Sequence, residues 1–282
     1  MIVSWLGWMA VAVAGTAQGV DGQSVSVASP QRVVTLGGTL TEIVYALGAE
    51  DRLAGVDASS VFPASARQLP QVGYYRQVGA EGILSLAPDL VIASEEAGPP
   101  AALALLEQAG VPVLRLSSEP SAGAAVARIE AVGAVLERSS QATAAAAALR
   151  RALAEVEPLD PSPTVAFVFG RGAGSLVVAG TGTAAEAMIR LGGGTPAITG
   201  YEGYKPLTPE ALVVAAPEVI VSTTRVVEGL GGLDGLAALP AVAATPAAAQ
   251  GRLVVLEDLL FLGFGPRLGA GAKALNEALA AP

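Results

Sequence analysis

Residues 81–94 read E-G-I-L-S-L-A-P-D-L-V-I-A-S, and residues 210–222 read E-A-L-V-V-A-A-P-E-V-I-V-S. Laid over each other with Glu81 on Glu210, the two segments also bring Pro88 onto Pro217. Each predicts a short helix stopped near a proline, an acidic residue, and then an apolar strand too continuous to keep one face in water. Two ordinary α/β crossovers of similar composition would look much the same. What sets this pair apart is the glutamate opening each helix at an identical offset. One such unit on either side of the chain's middle implies two α/β halves built alike.

Outward from these units the same alternation continues. Residues 32–36 form a β-branched strand ending in Gly37-Gly38, after which Thr39 is placed to cap a helix running through Tyr45 to Gly48. Residues 111–116 are a further strand, reached through a helix over 99–109 that starts with proline and ends at Gly110. In the second half, residues 164–169, 175–179, 219–223 and 254–256 read as strands, and residues 183–191, 208–216 and 266–279 as helices. Buried strands alternating with helices imply parallel sheets covered on both faces. Between the halves, residues 121–155 hold no proline and end in an alanine-rich tract with high helix propensity. At 1.5 Å per residue this predicts one helix about 50 Å long, ended by Pro158, Pro161 and Pro163. The expected fold class is α/β, with two Rossmann-like lobes of mainly parallel sheet joined by one long rigid helix. The expected divisions are a signal peptide over 1–17, a first lobe over 30–118, the inter-lobe helix over 121–157 and a second lobe over 163–282.

Composition narrows the chemistry. The 282 residues are 52% hydrophobic and carry a net charge of −9 with 16 Lys and Arg, which argues against nucleic acid or an anionic membrane as partner. With no cysteine and no histidine, the chain has no disulfide, no iron-sulfur or Cys/His zinc site, and no Ser-His or Cys-His nucleophile. Tyrosine, lysine, carboxylates and Met188 are the remaining candidate metal donors. Residues 1–17 are apolar with a small-residue run and read as a secretory leader, cleaved after Ala14 or Ala17 although a basic start is missing. No cysteine is present to carry a lipid anchor, so a soluble periplasmic protein is expected.

Within that frame, Gly73-Tyr74-Tyr75-Arg76 is the most suggestive polar cluster. In an extended segment Tyr74 and Arg76 project to one side and Tyr75 to the other. A guanidinium beside a phenol favours the ionised oxygen, and a phenolate is a recognised axial ligand of haem iron. A surface turn with a solvated arginine would have the same sequence.

G-Y-Y-R at 73–76 followed by A-E-G-I-L-S-L-A-P-D-L-V-I-A-S-E-E-A-G-P-P at 80–100 resembles the haem-binding periplasmic proteins of bacterial ABC importers. They belong to the two-lobed substrate-binding class with a helical backbone, shared with siderophore- and cobalamin-binding proteins. R-V-V-T-L-G-G-T-L-T-E-I-V-Y-A-L-G-A at 32–49 and Y-E-G-Y-K-P-L-T-P-E-A-L at 201–212 extend the resemblance over nearly the whole chain. It implies Tyr74 as the ligand of ferric haem b and Arg76 as its partner, with no catalytic turnover. Tyr75, Arg171, Tyr201, Tyr204 and Lys205 are the further candidates to line the cleft. Glu81 and Glu210 match the glutamates with which this class docks onto arginines of the permease. The implied partners are an ABC permease and its ATPase, supplied by an outer-membrane haem receptor pathway, with the protein itself a monomer. Some relatives carry a histidine near Gly170 that holds a second haem, and this chain has none. A ferric siderophore or a corrinoid on the same scaffold is the alternative. A two-lobed transferase is a more distant one, with Glu95-Glu96 as its only acid pair near a strand end.

Overall fold

The computed structural model describes residues 15–171 and 175–281. Its first sheet holds four parallel strands in the order β4-β3-β5-β6, with β3 at Val33–Leu36, β4 at Leu53–Val56, β5 at Leu90–Ser94 and β6 at Val113–Leu116. Leu90, Val91, Ile92 and Ala93 are fully buried, as expected for a central strand covered on both faces. Helices α1 (Gly38–Ala46), α2 (Ala80–Leu84) and α3 (Pro100–Gln108) make the crossovers. Ahead of them, β1 (Gly15–Gln18) and β2 (Ser24–Val27) form an antiparallel hairpin. Of the stretch expected to be a leader, residues 1–14 lie outside the described residues, while Gly15 to Ala17 belong to β1, where Ala17 is buried.

The second sheet repeats the first. Its parallel part runs β9-β7-β11-β12, formed by Thr195–Pro196, Thr164–Arg171, Val219–Thr223 and Leu253–Leu256. Taken in chain order, both lobes place the second strand outside the first and add the third and fourth on the other side. Antiparallel β8 (Ser175–Ala179) and β10 (Tyr204–Pro206) extend the second sheet at one edge. Its helices are α6 (Ala184–Leu191) and α7 (Pro209–Ala215), then the short α8 (Thr224–Gly229), α9 (Leu233–Ala237), α10 (Pro240–Ala243) and α11 (Pro246–Ala249), and finally α12 (Asp258–Leu262) and α13 (Leu268–Ala280).

The repeat seen in the sequence extends to individual hydrogen bonds. Ala87 and Ala216, each just before its proline, take left-handed φ values of 45° and 43°. The Asp89 carboxylate accepts from the backbone N–H groups of Gln31 and Arg32 at 2.7 and 3.0 Å, and Glu218 accepts from the backbone and hydroxyl of Thr164 at 2.7 and 2.9 Å. In each lobe the acid after the proline thus ties the third strand to the start of the first.

The joining segment is helical but is not one helix. α4 (Ala122–Val135) ends where Glu137 turns left-handed at φ 55°, and α5 (Ser139–Ala154) follows. The N–H of Arg138 donates to Gly133 O at 2.7 Å and that of Glu137 to Ala134 O at 3.2 Å, a Schellman closure made without glycine. α5 then folds back along α4, with Gly133 so close to Ala142 that an added Cβ would lie 2.3 Å from the alanine's own. Its far end meets α13, where Gly269 abuts Ala152 in the same way.

Polar contacts also tie the second lobe directly to the first lobe and to the joining segment. Thr39, expected as the cap of α1, donates instead to Gly263 O at 2.8 Å, and Gly37 takes the cap position. Arg267 forms two 3.0 Å bonds to Glu42 on α1 and one to Glu257, while Arg128 on α4 donates to Phe264 O at 2.8 Å. Among the described residues no helix is long and apolar enough to cross a membrane.

Candidate functional site between the lobes

In open α/β sheets, ligands sit outside the carboxyl ends of the strands, at the point where strand order reverses. The cavity here obeys that rule from both sides. It has a volume of about 490 Å³ and is walled by Ala58, Arg67 and Gln71 of the first lobe and by Arg225, Glu228 and Asp258 of the second. Ala58 follows β4, Arg225 follows β11 and Asp258 follows β12. The volume falls within the roughly 300–1,000 Å³ of small-molecule sites. Arg67 and Arg225 offer a cation from each lobe.

The loop bearing Tyr74 runs along the exit of β4. Val56 N–H donates to Pro70 O, Val72 N–H to Val56 O and Ala58 N–H to Gly73 O, all at 2.8–3.0 Å. Tyr74 itself is extended, after which residues Tyr75–Gln77 make one turn of 3₁₀-helix. That turn overrides the simple alternation expected for an extended strand, so Tyr75 shares the cluster with Tyr74 and Arg76. The two rings meet edge to face at 4.9 Å between centroids, and the Arg76 guanidinium lies 4.9 Å from the Tyr75 ring. Arg76 Nη1 donates to Tyr74 Oη at 3.0 Å, and its Nη2 pairs with Glu96. Tyr74 is 44% exposed, on the loop whose Gln71 lines the cavity three residues earlier.

The two tyrosines are chemically unequal. Tyr75 donates its hydroxyl to Glu96 Oε2 at 3.2 Å. Burial, with the nearby Glu96 charge, pushes its phenol far above the ordinary tyrosine range. Tyr75 is therefore held as a neutral donor, whereas the Tyr74 oxygen accepts from a cation on an exposed side chain.

From the second lobe the structure brings less to this point. Tyr201 is half-buried, donates to Val178 O at 3.2 Å and packs so closely on Gly180 that a Cβ there would meet Tyr201 O at 2.3 Å. Lys205 lies 4.5 Å from its ring centroid. Tyr204 sits on edge strand β10 with its ring 6.5 Å from that of Phe169. These three pack at the sheet edge formed by β8 and β10, and none of them lines the cavity. The side chain of Arg171 lies outside the described residues. Glu81 and Glu210 are exposed in the first turns of α2 and α7. Glu95 and Glu96 diverge: Glu95 is held low by the Ser118 N–H and by the hydroxyls of Ser118 and Ser117, while Glu96 belongs to Tyr75 and Arg76. They are not the paired carboxylates a metal-dependent transferase needs.

Sequence reasoning missed Asp57, Arg67 and Arg225. Arg225 was within reach, since it lies two residues beyond a strand that was read correctly. Asp57 was hidden behind β4, whose L-A-G-V is too short and too glycine-bearing to announce a strand.

A family model described as periplasmic binding protein matches residues 33–259. The chain belongs to that family. Its similarity to solved members is high: the periplasmic heme-binding protein RhuT from Roseiflexus sp. RS-1, in apo form, is 38% identical with a TM-score of 0.82, over 88% of this chain and 99% of that one. A periplasmic heme binding protein from Pseudomonas aeruginosa is 40% identical with a TM-score of 0.79, over 90% and 94%. A curated relative, the vitamin B12-binding protein of Pectobacterium carotovorum subsp. carotovorum, is 34% identical over 119 residues, so the match spans 42% of this chain and 40% of that relative. As a periplasmic binding protein the chain is a binding component rather than an enzyme.

Proposed function

We propose that this binding protein carries ferric haem in the cleft between its lobes and passes it to an ABC permease in the inner membrane. The observation that carries this reading is the 3.0 Å bond from Arg76 Nη1 to the oxygen of Tyr74, an exposed side chain on the loop whose Gln71 lines a cavity faced by both lobes. A phenol oxygen beside a fixed cation is a suitable donor to ferric iron, and the heme-binding names of the solved relatives support the same cargo. Arg67 and Arg225 would face the cargo's carboxylates. Haemin titrated into the purified protein should give a high-spin ferric tyrosinate spectrum at a defined stoichiometry. In Tyr74→Ala that spectrum should vanish, and binding unchanged by the substitution would refute the assignment.

Vitamin B12-binding relatives give a corrinoid a specific claim as the second reading. Titration with cyanocobalamin decides between the two cargoes, since a corrinoid carrier would bind it and ignore the loss of the Tyr74 phenol. Delivery would use Glu81 and Glu210, one exposed acid per lobe at equivalent positions of the repeat. Glu81→Ala combined with Glu210→Ala should abolish uptake while leaving haemin affinity as it was. A fall in haemin affinity would count against a docking role. Work in the periplasm requires a leader to be removed, and cleavage after Ala14 is the site that preserves β1.

A further inference from the structure

Asp57 stands at the exit of β4 with no exposed surface, and all four of its hydrogen-bond partners are uncharged. Its Oδ1 accepts from the Gly37 N–H and the Ser60 hydroxyl, each at 3.0 Å. Its Oδ2 accepts from the Ser59 N–H at 2.9 Å and the Tyr75 N–H at 3.3 Å. Ser60 passes the network on to Thr41 at 2.6 Å and Thr41 to Thr35 at 2.7 Å, so the cluster is anchored in β3 and α1. A carboxylate taken out of water without a cation is costly unless each lone pair is used. Here the cost is met by three backbone N–H groups and a hydroxyl drawn from three separate loops.

Those loops are the ones that build the first-lobe half of the site. The Gly37 leg holds the turn after β3, the Ser59 and Ser60 legs hold the cavity wall, and the Tyr75 leg holds the peptide that follows Tyr74. A second bond, from Ala58 N–H to Gly73 O at 2.8 Å, holds the peptide that precedes it. Tyr74 is therefore gripped on both sides by the 57–58 segment while its own side chain stays exposed. We infer that Asp57 is a positioning residue for the Tyr74 oxygen: it fixes where the phenol stands relative to the cavity without touching the cargo. This rests on the haem reading above.

Asp57→Asn separates positioning from mere folding, because the amide keeps the shape but supplies one accepting oxygen and turns an NH₂ toward an N–H donor. Thr35→Val is the matched control, as it removes a buried hydroxyl from the far end of the same network while sparing all four contacts of the Asp57 carboxylate. Haemin is titrated into wild type, Tyr74→Ala, Asp57→Asn and Thr35→Val, and the iron-tyrosinate charge-transfer band and haemin release rate are read. Asp57→Asn should shift or broaden the band and speed release by about tenfold, the effect of losing one well-placed hydrogen bond, while Thr35→Val keeps the wild-type band. If Asp57→Asn fails to fold, Gly73→Ala takes its place. Gly73 has φ 92° with nothing within 4 Å of an added Cβ, so that change strains the loop without a clash and should disturb the band in the same way. A wild-type band in whichever of these loop variants is read, or an equal disturbance in Thr35→Val, overturns the positioning role. Absence of any Tyr74-dependent band in the wild-type protein overturns the haem reading itself, and this inference with it.

Discussion

Tyr74 and Tyr75 are joined by one peptide bond, and the charge facing each oxygen gives them opposite parts. Tyr74 receives a hydrogen bond from a guanidinium, while Tyr75 gives one to a carboxylate and is held neutral by burial. Tyr75→Phe should therefore keep the tyrosinate spectrum and hold haemin affinity within about fivefold of wild type, the scale of a single exposed hydrogen bond. A lost spectrum in that variant would transfer the ligand role to Tyr75. The sequence made the Tyr74–Arg76 pairing legible through its two-residue spacing. It could not show what tells the tyrosines apart, since Glu96 lies 20 residues from Arg76 and Asp57 lies 18 from Tyr75. Those partners meet only once parallel strands align their carboxyl ends.

At the scale of elements, most strands and helices follow from apolar runs punctuated by glycine and proline, and the repeated units were recognisable because each buries a whole strand. The joining segment resisted for a physical reason. A chain reversal usually announces itself with glycine, and here Glu137 adopts the left-handed residue's role at a cost of about 1 kcal/mol or slightly more. What offsets that cost is the contact the reversal permits between Gly133 and Ala142. Replacing a mid-helix glycine by alanine ordinarily stabilises by about 0.5–1 kcal/mol. Gly133→Ala should do the reverse, because its Cβ would stand 2.3 Å from that of Ala142 and force α5 off α4, an overpacking cost of about 1–3 kcal/mol. Chemical denaturation checks the sign, and a stabilised variant would mean that the two helices have room to spare.

At the scale of the whole molecule, the relation between the lobes is set by the segment running from Glu257 to Arg267. Arg267 lies across it, bonded to Glu42 of the first lobe and Glu257 of the second, with its guanidinium 3.5 Å from the Phe62 ring centroid. Glu42 is only 4% exposed, and one guanidinium shared between two carboxylates does not fully compensate a buried charge. Burial accordingly raises the Glu42 carboxyl above its ordinary value despite the arginine, which pulls the other way. The folded protein then holds this proton more tightly than the unfolded chain does. By linkage, the stability Glu42 contributes is fully present below its unfolded value of 4.5 and is lost as pH rises through the higher folded value. Glu42→Gln cannot titrate. Unfolding both proteins with denaturant at neutral and mildly acid pH should show wild type gaining on the variant as pH falls. Wild type losing ground instead would mean that the arginine outweighs burial, and that the bridge between the lobes is strongest with Glu42 ionised.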